Sequence, residues 1–160
     1  MQTFLPYRDF ESSVYCLDNR RLLAQINEAG QILKALKNPL GPWGNHCITR
    51  TWRGYETALS SYLCLAKYEA LARNLGNFTE QSLRNLEITY RSVPWTNSRS
   101  ASNRPSLPED FFKRYRQHLL AKDETHYRKF FPSLAPLSGY YALNKDYSAW
   151  QLYSEQTSKN

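Results

Sequence analysis

The sequence predicts an all-α protein, a single compact domain of four to five helices over residues 1–160 with irregular N- and C-terminal segments. Three observations predict it. Apolar residues recur three and four positions apart over long stretches, the period of one helix face. Proline and glycine clusters stop those stretches. Helix-start signals precede them, among them Thr79 and the capping box Ser106-Leu107-Pro108-Glu109.

The elements follow in order. Met1–Pro6 is a short apolar strip stopped by proline, suited to tuck into the core and hold the chain start in place. A first helix is expected from about Asp18 to Lys37, because Leu22, Ile26, Ala29, Leu33 and Leu36 form one stripe. Asn38-Pro39-Leu40-Gly41-Pro42 ends it, and Trp43-Gly44-Asn45-His46 reads as loop. A second helix is expected over about Cys47 to Asn74. Its stripe is Trp52, Tyr55, Leu59, Tyr62, Leu63, Ala66 and Ala70, with Gly76 as its stop.

A third helix starts after Thr79 and carries Leu83, Leu86 and Tyr90. The polar, basic stretch Val93 to Pro105 reads as a long loop. The capping box opens a fourth helix bearing Phe111, Phe112, Tyr115, His118 and Leu119. Lys122 to Phe131 extends it or forms a short fifth helix. From Pro132 onward the chain is aromatic and is expected to be irregular.

Composition narrows the function classes. The formal net charge is +7, and 13 of the 21 basic residues are Arg. The planar guanidinium fork suits phosphate and guanine. No Asp or Glu lies from Ala29 to Tyr55 or from Ile88 to Pro108, which leaves a local positive field over both stretches. Four Trp, twelve Tyr and seven Phe are more rings than a core this size needs, so some are expected at a working surface.

Cys16, Cys47 and Cys64 are odd in number and widely spaced, against a disulfide framework or a zinc site. His46, His118 and His126 are too scattered for a metal centre. No Gly-rich phosphate loop and no Ser-His-Asp arrangement is readable, so neither cofactor nor metal is expected. The start lacks the apolar run of a signal peptide, and no stretch approaches the roughly 20 apolar residues of a membrane span. A cytoplasmic monomer without membrane contact is expected.

Four features carry chemistry. Glu28 is the only acid on the first helix after Asp18, at the edge of the apolar stripe on the flank of Arg21 and Gln25. Two readings stand: a surface Glu paired to Arg21 or another base, or a half-buried carboxylate whose environment suits catalysis. The chain's α-amine has a pKa of about 7.7–8.0, so a usable fraction is neutral and nucleophilic. It is a frayed terminus or, anchored by Thr3-Phe4-Leu5, an imine-forming nucleophile.

The loop with Trp95, Arg99 and Arg104 combines hydroxyls, amides and guanidinium groups suited to phosphate, with a ring that could stack on a base. Arg114, Arg116, His118, Lys122, Arg128 and Lys129 interleave with Tyr115, Tyr127 and Phe130. That composition fits a nucleic-acid surface and equally a helix with aromatics inside and bases outside.

The run Leu22-Leu23-Ala24-Gln25-Ile26-Asn27-Glu28-Ala29 resembles the helix of the phage pyrimidine-dimer DNA glycosylases of the endonuclease V type. There a short N-terminal strip precedes a helix of the form L-x-A-E-Y-R-E-L whose last Glu is catalytic. His46 to Gly76 is similar to that family's next helix. Gln2-Thr3-Phe4-Leu5-Pro6-Tyr7, Leu17-Asp18, Arg21-Leu22, Glu28 and Trp52-Arg53-Gly54-Tyr55-Glu56 resemble its uncharacterised bacterial relatives most closely. The likeness covers residues 1–75 well and 110–130 weakly.

The resemblance implies a DNA glycosylase, with or without AP lyase activity, acting on duplex DNA that holds a damaged or modified base. The terminal amine of Met1 attacks C1′, an imine forms, and Glu28 assists. Gln2 is bulky, which implies that Met1 is retained. Two arginines that flank the family's Glu and grip the duplex match Asn27 and Gln31 here, which implies a different grip. The expected DNA contacts are Gln2, Arg21, Gln25, Gln31, His46, Arg50, Arg53, Trp95, Arg99, Arg104, Arg116, Lys122 and Arg128. The alternative is a non-catalytic protein on the same scaffold that binds DNA or recognises a modified base.

Overall fold

The computed structural model describes residues 5–76, 79, 81, 84, 85, 105, 107, 109–137, 140–143 and 150–153. The chain divides into two units, Met1–Ser106 and Leu107–Asn160.

In the first unit Asp9 starts α1 (Phe10–Tyr15) by accepting from the Ser12 N–H at 2.6 Å. Such a cap is worth about 1 kcal/mol. This short helix was not predicted, because its apolar residues are too few to show a period. Leu5 and Pro6 are buried, as the expected tucked strip requires, while Met1–Phe4 lie outside the described residues. The Ser13 hydroxyl accepts from the Tyr7 N–H at 3.1 Å and donates to the Tyr7 carbonyl at 3.0 Å, pinning the chain as it enters α1.

α2 (Asn19–Lys37) matches the predicted first helix. Asp18 caps it through the Arg21 N–H at 3.0 Å and holds the Arg21 guanidinium at 2.9 Å. Lys34 and Lys37 occupy its last turn, where cations complement the helix dipole. Leu22, Ile26, Ala29, Ile32 and Leu33 face the core, and so does Gln25.

The predicted second helix is two helices, α3 (Cys47–Trp52) and α4 (Glu56–Ala72). The break falls at Gly54, whose φ of 82° is accessible to glycine at little cost. Its N–H donates to the Glu56 carboxylate at 3.0 Å, in the first turn of α4 where a negative charge is favoured.

α4 packs along α2, α1 against α4, and α3 against α2. Ala58, Ala66 and Ala70 are fully buried on α4, as is Ala29 on α2. Phe10 closes one side of the core, its ring edge-on to Tyr62 at 5.4 Å and tilted against Trp52 at 6.3 Å. Arg73, at the end of α4, donates to the carbonyls of Leu17 (2.6 Å) and Tyr15 (2.8 Å) and to Glu69 (2.7 Å). It thereby satisfies backbone acceptors at the end of α1. Gln81, Arg84 and Asn85 are helical, but Leu83, Leu86 and Tyr90 of the predicted third helix lie outside the described residues.

The second unit contains α5 (Glu109–Lys122) and α6 (Glu124–Tyr127), so the short fifth helix is present. Phe111, Phe112, Tyr115, Leu119, Tyr127 and Phe131 are buried. The Phe111 and Tyr115 rings lie 4.5 Å apart, and Tyr127 stacks on Phe131 at 6.2 Å. The tail expected to be irregular instead forms an antiparallel pair, β1 (Tyr140–Leu143) with β2 (Trp150–Tyr153), in the register Tyr140 opposite Tyr153. Aromatic residues favour such a ribbon.

The fold is helical, as predicted. Among the described residues no helix is long and apolar enough to cross a membrane.

Candidate active site

α2 places Arg21, Gln25 and Glu28 on one side, because spacings of four and three residues return to the same helix face. Their environments differ. Arg21 is half-buried and pairs with Asp18, the helix cap, at 2.9 Å. Gln25 is fully buried. Its Oε1 accepts from the Tyr62 hydroxyl at 3.0 Å, and its Nε2 donates to Glu28 Oε2 in a long hydrogen bond of 3.4 Å. Glu28 is half-buried.

A buried amide is tolerated only when its polar atoms are engaged, and both ends of Gln25 are. A residue expected to touch DNA is thus enclosed in the core, linking α4 to the α2 carboxylate. Tyr62 was legible only as one ring on an apolar stripe, and its hydroxyl partner required the packing of α2 on α4.

His46 is the N-cap of α3. Its Nδ1 accepts from the Ile48 N–H at 3.3 Å, which leaves Nε2 to carry the proton of the neutral ring. Burial lowers the His46 pKa below the ordinary imidazole value, and the positive charge of the chain's amino terminus lowers it further. Trp43 meets the ring edge-on at 5.4 Å. Gln31, Arg50 and Arg53 are exposed, and Arg53 donates to the Gly44 carbonyl at 2.9 Å.

A second carboxylate, Glu56, is buried at the start of α4, where it serves the Gly54 turn. Cys16 is buried and donates to the Ser13 carbonyl at 3.4 Å; burial pushes its thiol pKa up to about 12.

In the second unit Lys122 and Lys129 of the mixed basic and aromatic run face solvent, Tyr115, Tyr127 and His118 face the core, and Phe130 lies half-buried. Arg116 is half-buried as well. Arg114 pairs with Asp110 at 2.7 Å. Arg128 pairs with Glu124 and donates to the carbonyls of Leu134 (2.8 Å) and Pro132 (3.2 Å), so it braces the chain after α6.

Met1, Gln2, Trp95, Arg99 and Arg104 lie outside the described residues. Among the described residues no group of three or more His, Cys, Asp or Glu side chains is placed to hold a metal ion.

Residues 1–82, half of the chain, match the family model described as pyrimidine dimer DNA glycosylase. No curated protein and no solved structure matches the chain.

Proposed function

The chain belongs to the pyrimidine dimer DNA glycosylase family, and from that premise we propose that it excises a damaged pyrimidine from duplex DNA through an imine formed by its own terminal amine. In this reading the neutral amine of Met1 attacks C1′ of the damaged nucleotide. The C1′–N bond breaks, and the base leaves with the bonding pair and takes up a proton. The amine loses its protons, the sugar ring opens with O4′ becoming a hydroxyl, and a C1′=N imine remains. Loss of a C2′ proton then expels the 3′ phosphate by β-elimination, and water hydrolyses the imine to release the amine. The alpha-amine suits the first step because a fraction of it is neutral near pH 7.

Glu28 is the carboxylate of this reaction. The observation that carries the assignment is its half-buried position on α2, tied through Gln25 to the core hydroxyl of Tyr62. A charge held in a fixed place stabilises the positive charge that develops at C1′ without reorganising during the step. The acid-free stretch from Ala29 to Tyr55 supports a phosphate-binding surface alongside it. The neutral His46 ring offers an N–H donor at the edge of that stretch. Gln31, Arg50 and Arg53 supply exposed contacts, and Asn27 and Gln31 give this surface a weaker charge grip than arginines at those positions.

The test is a single-turnover excision assay on a duplex holding one cyclobutane thymine dimer. Cleavage of one glycosyl bond of the dimer by the parent protein, read as strand scission at that site because the base stays tethered to its dimer partner, and its loss in Glu28→Gln with duplex binding retained, is the expected pattern. Equal turnover by Glu28→Gln would remove the carboxylate from the reaction.

A further inference from the structure

The chain between α2 and α3 carries a feature that excision chemistry does not use. Leu40 is 96% exposed and Trp43 is 55% exposed, three residues apart in one short loop. A single exposed Leu is ordinary on a protein surface. The frame that holds this one is not. Pro39 and Pro42 fix two backbone φ angles on either side of Leu40 and Gly41. Three successive turns are closed by backbone hydrogen bonds: Gly41 to Asn38 (3.0 Å), Gly44 to Gly41 (3.0 Å) and His46 to Trp43 (3.1 Å). Gly44 passes so close to Pro39 that an added Cβ would lie 2.1 Å from the Pro39 carbonyl oxygen. Arg53 fastens the loop's end from α3 through the Gly44 carbonyl.

The loop is therefore a stiff projection with an aliphatic tip. Its flanks are cationic. Lys34 and Lys37 precede it on the last turn of α2, Arg50 and Arg53 follow it on and after α3, and all four are exposed. The sequence from Ala29 to Tyr55 holds no Asp or Glu.

We propose that this loop is a DNA wedge: Leu40 enters a base step of bound duplex, Trp43 packs on the ring faces so exposed, and the flanking cations hold the phosphates on either side. An apolar wedge between base pairs must displace stacking, and a tip pre-ordered by prolines and turns loses little freedom in doing so. Partial unstacking and kinking of the duplex ease extrusion of a base from the stack, which glycosylase chemistry requires. The proposal rests on the DNA-binding reading above, and charge complementarity is what selects DNA as the occupant.

The experiment uses the full chain with an undamaged duplex in which 2-aminopurine replaces adenine at successive positions. Binding is followed separately by the anisotropy of a fluorescein-labelled strand. The parent and Glu28→Gln are expected to raise 2-aminopurine fluorescence at one or two adjacent positions. Leu40→Ala is expected to lose that rise while keeping salt-dependent binding, and Leu40→Phe, which retains a wedge, is expected to keep it. Circular dichroism confirms the fold of each variant. A rise retained by Leu40→Ala, or no rise at any position with the parent bound, overturns the wedge and leaves the excision chemistry standing. Absence of parent binding to any duplex overturns both. Leu40-dependent co-sedimentation with phosphatidylserine–phosphatidylcholine vesicles, without a 2-aminopurine response, would assign the tip to a membrane surface instead.

Discussion

Gln25 stands between Tyr62 and Glu28, accepting from the hydroxyl of one at 3.0 Å and donating to the carboxylate of the other at 3.4 Å. Tyr62→Phe removes the donor and leaves the Gln25 Oε1 atom buried without it. Such a loss costs about 1–3 kcal/mol. The expected outcome is a lower Tm and slower excision at unchanged duplex affinity, since neither residue reaches the surface. A variant with the lowered Tm but the parent's excision rate would confine the pair to stability.

Gly44 and Gly54 are expected to resist substitution for different reasons. At Gly44 a methyl group meets the Pro39 backbone, which cannot move aside as a side chain would. Overpacking of this kind costs about 1–3 kcal/mol. At Gly54 the obstacle is its positive φ, worth about 1–2 kcal/mol against an L-residue. Urea unfolding of Gly44→Ala and Gly54→Ala measures both, and a parent-like midpoint in either would deny the backbone geometry described at that site.

His46 links stability to pH. Its folded pKa is lowered, so the folded state favours the neutral ring and the unfolded chain binds more protons below the ordinary imidazole value of about 6.5. Stability present above that value is lost as pH falls towards the folded pKa. His46→Asn keeps a capping acceptor and removes the titration, so its unfolding midpoint should vary less between about pH 5 and 6.5. Burial is the larger cause of the lowered His46 pKa, and acetylation of the terminal amine removes the charge that adds to it. An NMR titration of the ring should therefore move upward on acetylation.

The three thiols should divide by burial. Cys16 is buried with its pKa raised to about 12, whereas Cys47 and Cys64 are partly exposed. Thiolate is the reactive form. Ellman's reagent at neutral pH is expected to modify Cys47 and Cys64 in the native protein and Cys16 only after denaturation. Rapid native modification of Cys16 would place it outside the core.

Much of this arrangement was legible beforehand. The α2 stripe, its start near Asp18 and its stop at Asn38 are local signals, legible from residue type and spacing, whereas the capping role of Asp18 comes from the structure. The division of the second helix was not legible, because Trp52, Leu59 and Tyr62 keep a helical period across Gly54 and the period outweighed a lone glycine. Residue types alone leave the aromatic tail irregular, because strand pairing is a relation between two segments, not a property of either. At the candidate site, spacing put Gln25 beside Glu28, but only the packing of α2 on α4 buries the one and leaves the other half-open. Residue type marks Gln25 and Arg128 alike as polar, whereas packing encloses Gln25 against Tyr62 and leaves Arg128 half-buried with donors to the carbonyls of Pro132 and Leu134.

The central chemical claim is that the chain's own first nitrogen becomes bonded to C1′. Borohydride reduction during turnover on a dimer-containing duplex tests it most directly, with intact-mass and peptide analysis of the trapped species. The account predicts a covalent DNA–protein adduct located at Met1, and none when the amine is acetylated beforehand. An adduct on a lysine, or trapping undiminished by acetylation, would contradict it.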